Sequence, residues 1–221
     1  MRTVAVLPVK RFGAAKQRLG EELSPGSRRA LTEAMVTDVL IALRRAKSVD
    51  AVVVVTGESS ATALALGHGA DAIPDPDDAG HVEAAERGVR WAVSNGADRV
   101  LLVPGDTPAL DPKELDALLT PHPFHPLEPE VIIVPDRHGT GTNALVLTPP
   151  RVIAPSFGPG SRERHGRLAA AAGAAARVEE VPTLVLDVDN PDDLAELQAA
   201  LAARTGGASH TRGMLVRLGR R

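Results

Sequence analysis

The side chains best suited to chemistry fall in five short stretches of this 221-residue chain. The first, "PVKRFGAAKQRLG" (8–20), holds Lys10, Arg11, Lys16 and Arg18 directly after the apolar run "VAVL", although the formal net charge of the whole chain is -3. Ammonium and guanidinium groups suit phosphate oxygens, arginine as a two-pronged fork. The stretch lacks the G-x-x-x-x-G-K-[ST] spacing of a Walker A loop, so it reads either as a phosphate site of another type or as a solvated basic loop. The second, "VPGDTPALDPKEL" (103–115), carries Asp106 after a Pro-Gly bend. A carboxylate there suits Mg²⁺, a hard cation that takes oxygen ligands; the plainer reading is an Asx turn. Asp111 reads as the cap of a helix opening at Pro112.

The third stretch, "LDVDNPDDL" (186–194), has more carboxylates than capping needs. Asn190 suits a helix N-cap, and Asp192 and Asp193 suit the positive end of that helix. Asp187 is left over, within or at the edge of a strand, where an unpaired charge is costly. A cation shared with Asp106, with Asp189 nearby, makes it tolerable.

The fourth and fifth stretches are "PDRHGTGTNALVL" (135–147) and "SFGPGSRERHGRL" (156–168). "GTGTNA" formally matches G-x-G-x-x-A, but a dinucleotide fingerprint needs a strand before it and a helix after it, and here a strand follows. Its glycines let backbone N–H groups approach an anion, with Thr142 and Asn143 adding polar contacts. A turn through Gly158 leads to Ser161, which suits the cap of a helix whose free N–H groups attract anions. Arg162, Arg164 and His165 add positive charge; an ordinary capped helix is the plainer alternative. "HPFH" (122–125) has no acidic or cysteine neighbours and supports no zinc site. There is no G-x-S-x-G elbow for a serine triad.

These loops need strands to carry them. Continuous apolar runs occur at 3–7, 51–55, 99–103, 130–134, 143–147 and 183–188, a pattern of strands buried on both faces. Ser24-Pro25 opens a helix to about Ala46, and further helices are expected near 58–67, 81–95, 112–119, 162–172 and 191–203. Such alternation predicts an α/β fold with a mostly parallel, doubly wound sheet, in which ligands bind beyond the carboxyl ends of the strands. Residues 1–205 read as a single domain and 206–221, "GGASHTRGMLVRLGRR", as a mobile C-terminal extension. The charge balance gives no reason to expect nucleic acid or an acidic membrane surface as partner. The absence of cysteine excludes disulfides and thiolate chemistry. No apolar run approaches the length of a transmembrane helix, and the start is too short in apolar residues for a signal peptide, so a cytoplasmic protein is expected.

Taken together, "PVKRFGAAKQRL", "LSPGSRRAL", "VPGDTPAL", "PDRHGTGTNAL", "FGPGSRERH" and "DVDNPDDL" occur in an order that resembles the CofC/FbiD family. These are the guanylyltransferases of coenzyme F-420 biosynthesis, with a glycosyltransferase-A-like, Rossmann-like nucleotidyltransferase fold. The resemblance spans roughly residues 3–203. It implies transfer of GMP from GTP to the phosphate of a small phospho-acid, with release of pyrophosphate. Phosphoenolpyruvate is the acceptor in bacterial members and 2-phospho-L-lactate in archaeal ones. It also implies Thr142, Gly158 and Ser161 at the acceptor. Lys10, Lys16 and Arg18 would face the GTP phosphates, with Lys16 and Asp106 catalytic. Mg²⁺ would be held by Asp106 together with Asp187 or Asp189. The chain departs from the family at "GHVEAA" (80–85), where Glu83 replaces an Asn expected near the nucleoside, which leaves the strictness of guanine selection open.

This chemistry matches the residue inventory. A phosphate oxygen is already an ionised nucleophile near neutral pH, so neither a general base nor a covalent nucleophile is required. Bringing two anions together is the difficulty, and a local cluster of cations addresses it. The alternatives are another acceptor such as 3-phosphoglycerate, or a nucleotide-binding regulator without catalysis. Small α/β enzymes often form symmetric dimers, so a homodimer is a further expectation.

Overall fold

Thr3–Val9 forms β1, and all seven of its residues are buried. Its side chains alternate between two cores: Ala5, Leu7 and Val9 enter one, Val4 and Val6 the other. A strand covered on both faces has no polar side, hence the unbroken apolar run. The computed structural model describes residues 1–78, 80–120 and 129–219. After β1 come α1 (Pro25–Arg45), β2 (Ala51–Thr56), α2 (Ser59–Gly67), β3 (Asp71–Pro74), α3 (His81–Ser94), β4 (Arg99–Leu102) and α4 (Pro112–Leu118). They are followed by β5 (Glu130–Pro135), β6 (Thr142–Thr148), α5 (Ser161–Ala171), β7 (Ala175–Val178), α6 (Pro191–Ala202) and α7 (Ser209–Leu218).

The strands form one sheet in the order β3-β2-β1-β4-β6-β5-β7. β6 runs antiparallel to both of its neighbours, and every other pairing is parallel. The expected mostly parallel, doubly wound α/β architecture is therefore the observed one. Helix α3 lies so close to β1 that a Cβ on Gly88 would fall 2.1 Å from Val6 Cγ1. Only a residue without a side chain allows that approach. The loops after β1 and β4 open on one side of the sheet, the side on which a parallel sheet offers a ligand site.

Two expectations change. "TLVLDV" (183–188) is not a strand: Thr183 to Asp187 run irregularly, with Leu184 and Val188 fully buried. The carbonyls of Leu184 and Val185 accept hydrogen bonds from Asn143 Nδ2, at 2.7 and 3.2 Å, so a side chain takes the place of a ladder partner. The edge strands β3 and β7, each four residues long, carry little of the apolar signal that marks the central ones. The extension expected to be mobile, 206–221, instead contains α7, which packs on α1. The backbone N–H groups of His210 and Thr211 donate to the buried Asp38 carboxylate at 3.1 and 2.7 Å, so α1 supplies the acceptor for the first turn of α7. Met214 and Leu215 add to a third apolar cluster with Leu31, Met35 and Leu197. "HPFH" (122–125) lies outside the described residues. Among the described residues no helix is long and apolar enough to cross a membrane.

Candidate active site

The loop after β1 is held from below and from the side. Phe12 is fully buried, and its backbone N–H donates to Glu58 Oε2 at 3.1 Å. Arg29 bridges to the other Glu58 oxygen at 3.1 Å. Burial works against the Glu58 charge, but the hydrogen bonds from Phe12 and Ser60 and the Arg29 charge outweigh it and hold this carboxyl below its ordinary range. Arg11 donates to the carbonyl of Pro76 at 3.1 Å, which fastens the loop to the turn after β3.

So anchored, the loop delivers Lys16 inward. Lys16 adopts a left-handed backbone conformation, φ 56° and ψ 39°, and only 6% of its side chain is exposed. Its ammonium hydrogen-bonds Asp106 and lies 3.0 Å from Asp189 Oδ1. Burial pulls this lysine down, yet the charges of Asp106 and Asp189 prevail and raise it above its ordinary value, so it is a cation at any working pH. Lys10, Lys16, Thr32, His81, Asp106 and Asp189 line one cavity of about 300 Å³. Arg18 is exposed and does not line it.

Asp187 stands beside this group, accepting a hydrogen bond from Asn143 Nδ2 at 3.3 Å. Burial first, and then the neighbouring Asp106 charge, push its carboxyl above the usual range. The second Asp106 oxygen, Oδ1, is buried with no hydrogen-bond partner. Among the described residues no three His, Cys, Asp or Glu side chains already form a metal cage. Even so, an orphaned carboxylate oxygen, a carboxyl strained toward protonation and a third carboxylate one lysine away form a donor set that suits a hard divalent cation.

The fourth and fifth stretches meet next to this cavity. Ser161 Oγ donates to Thr142 Oγ1 at 3.1 Å, and Thr142 Oγ1 lies 3.1 Å from His165 Nδ1. The Ser156 backbone N–H donates to His165 Nε2 at 2.9 Å. Gly160, not Ser161, is the N-cap of α5, so the Ser161 hydroxyl serves Thr142 rather than the helix end. Arg164 is also spent internally, on the Ser156, Phe157 and Pro159 carbonyls that shape the turn. Gly158, at φ 108°, faces open space where a Cβ would be. Phe157 links this group to the cavity, its ring edge-on to His81 at 4.7 Å and to His165 at 5.4 Å between centroids.

The arrangement pairs a buried cation and several carboxylates with an adjoining hydroxyl and glycine loop. Comparison with known proteins decides its family: "Guanylyl transferase CofC like" matches residues 3–219. The chain belongs to the CofC-like guanylyl transferases. It is 52% identical over 99% of its length to a phosphoenolpyruvate guanylyltransferase from Conexibacter woesei, of which it spans 97%. A Sphaerobacter thermophilus protein of the same name is 40% identical over 89% of this chain and 93% of its own. A provisionally named nucleotide-diphospho-sugar transferase from Desulfovibrio desulfuricans, 18% identical, superposes with a TM-score of 0.77 over 98% of this chain and 95% of its own, a likeness of fold.

Within this CofC-like site, sequence reasoning missed His81, Phe157 and Glu58. His81 follows the weakly apolar β3, and its imidazole makes no hydrogen bond among the described residues. Burial, aided by the Lys10 charge and opposed by Asp106, keeps it below its ordinary value. Glu58 was legible only as part of a helix start, because its partners lie 46 and 29 residues away.

Proposed function

We propose that this CofC-like guanylyl transferase moves GMP from GTP to the phosphate of phosphoenolpyruvate, releasing pyrophosphate, in coenzyme F-420 biosynthesis. The activity for which relatives matched over nearly their whole length are named supports the acceptor. The observation that carries the reading is the buried Lys16 ammonium between Asp106 and Asp189, a cation fixed where two phosphate-bearing substrates would meet.

An acceptor phosphate oxygen forms a bond to the α-phosphorus of GTP, and the bond from that phosphorus to the β-bridging oxygen breaks. Thr142, Gly158 and Ser161 hold the acceptor through hydroxyl and backbone donors. Lys10 and Lys16 face the triphosphate and offset the charge that gathers on the departing pyrophosphate. Arg18, which is exposed, contributes from the rim. Asp106, Asp187 and Asp189 are the residues that would hold Mg²⁺, which when bound neutralises phosphate charge. No side chain needs to take a proton.

Pyrophosphate release tests the reading. GTP with phosphoenolpyruvate is expected to give stoichiometric pyrophosphate. Release only with 2-phospho-L-lactate or 3-phosphoglycerate would move the acceptor assignment, and release with none would leave a nucleotide-binding regulator. A cytoplasmic location and a homodimer belong to the same reading; elution volume tests the latter.

A further inference from the structure

The Ser156–His165–Thr142 part of the chain that ends on Ser161 has a direction that its heavy atoms fix. The Ser156 backbone N–H can only donate, so His165 Nε2, 2.9 Å away, is an acceptor and carries no hydrogen. A neutral imidazole with a bare Nε2 bears its hydrogen on Nδ1. His165 is fully buried, and burial, reinforced by the Arg164 charge, keeps it neutral by moving its pKa down to about 4. Nδ1–H therefore donates to Thr142 Oγ1 at 3.1 Å.

The consequence is a count of hydroxyl hydrogens. Thr142 Oγ1 accepts from His165, and the Thr142–Ser161 hydroxyl pair, 3.1 Å apart, spends one of its two hydrogens on the bond between them. One hydrogen of the pair is left over, and among the described residues neither hydroxyl meets a further acceptor. Ser161 is fully buried, whereas Thr142 is partly exposed at the start of β6. An unmatched hydrogen is costly when buried, so Ser161 donates to Thr142 and the hydrogen left over is the accessible one on Thr142. In the other tautomer Nδ1 would draw the Thr142 hydrogen to itself, and the pair would have none to offer.

We propose that His165 is a positioning residue: by donating to Thr142 it frees the Thr142 hydroxyl hydrogen for an anionic oxygen of the acceptor. This rests on the reading that Thr142 contacts the phospho-acid, and the two ideas fail separately. His165→Asn keeps a donor at the Nδ1 position and loses the acceptor for Ser156. His165→Gln keeps an acceptor at the Nε2 position and loses the donor to Thr142.

The test is steady-state kinetics with phosphoenolpyruvate and GTP each varied, with melting temperatures alongside. His165→Gln is expected to raise KM for phosphoenolpyruvate about tenfold or more, the scale of a hydrogen bond to a charged group. His165→Asn should stay within about threefold, and KM for GTP should hardly move in either. Thr142→Val should match the His165→Gln effect, and the double variant should add nothing further, because the two changes remove the same interaction. If Thr142→Val leaves KM for phosphoenolpyruvate unchanged, the acceptor assignment falls and the proposal with it. If Thr142→Val raises it but Asn and Gln at 165 behave alike, or their effects add to it, the positioning role alone is overturned. Nitrogen-15 NMR of the free protein gives a readout independent of activity: the hydrogen is expected on Nδ1, and a hydrogen on Nε2 refutes the proposal whatever the kinetics.

Discussion

Lys16 Nζ lies 3.0 Å from Asp189 Oδ1 and in the same position hydrogen-bonds Asp106. A lysine so placed occupies the space between carboxylates that would otherwise attract a divalent cation. Unit charges about 4 Å apart interact by about 4 kcal/mol at an effective dielectric of 20, so lysine and metal compete for one charge environment. Lys16→Met should lower the melting temperature of the ligand-free protein, since it leaves Asp106, Asp187 and Asp189 facing one another. It should also lower the Mg²⁺ concentration for half-maximal thermal stabilisation by about tenfold, the scale of roughly 1.4 kcal/mol of relieved competition. KM for GTP should rise. Weaker Mg²⁺ stabilisation than wild type in a thermal-shift titration would show that Lys16 supports the cation rather than holding its place.

Asp106→Asn separates charge from shape. The amide keeps the carboxylate outline and one acceptor but loses the charge that a hard cation needs. Turnover should fall at least about a hundredfold, comparable to removing one fixed electrostatic group at a reacting centre. The melting temperature should fall, because the buried Lys16 ammonium loses its first counter-charge, while the protein still folds. Near-normal turnover with an unchanged fold would remove Asp106 from the chemistry.

The central sheet was legible because both of its faces are covered. β1, β2, β4, β5 and β6 each show up as an unbroken apolar run. The edges were not, since β3 and β7 have half-wet residues and no such run. "TLVLDV" misled for the converse reason: Leu184 is buried against the core like a strand residue, but Asn143 satisfies its carbonyl. The site followed the same division. Lys16 and Asp106 lie in the loops that follow legible strands, and Thr142 opens one. His81 and Glu58 depend on contacts far apart in sequence, and no spacing rule reaches across them. Local signals also misassigned Ser161 and Arg164, because hydroxyls and guanidinium groups find whichever acceptor the tertiary fold brings close.

Asp187 gives a pH dependence with a definite sign. Burial and the Asp106 charge raise its folded-state pKa above the unfolded value. The folded protein thus binds its proton more tightly, and stability falls as pH rises from the ordinary carboxylate range through the raised value. Asp187→Asn removes that cost while preserving an acceptor for Asn143. The variant, without added metal, should be more stable than wild type at neutral pH and equal to it in acid, and should lose thermal stabilisation by Mg²⁺. Urea denaturation at pH 4 and pH 7.5, with and without Mg²⁺, measures all of this. A variant less stable at both pH values would mean that the Asp187 charge is already compensated by the protein.

His165 contributes in the opposite direction. Its folded pKa is lowered to about 4 from an ordinary 6.5, because the fully buried ring loses hydration when charged and Arg164 stands beside it. In the unfolded chain the ring takes a proton as pH drops through about 6.5, while in the folded chain it stays neutral until about 4. Stability is therefore whole above 6.5 and lost progressively between 6.5 and 4. At pH 4.5 the linkage amounts to about 2 to 3 kcal/mol, taking about 1.4 kcal/mol per pH unit. His165→Asn has no such group to titrate. The difference in unfolding free energy between pH 7 and pH 4.5 should then be smaller in His165→Asn than in wild type by that amount, even if the variant starts out less stable. Parallel slopes for the two proteins would mean that the imidazole protonates in the folded state near its ordinary pKa. In that case burial and the Ser156 N–H would not keep the ring neutral below about pH 6.5.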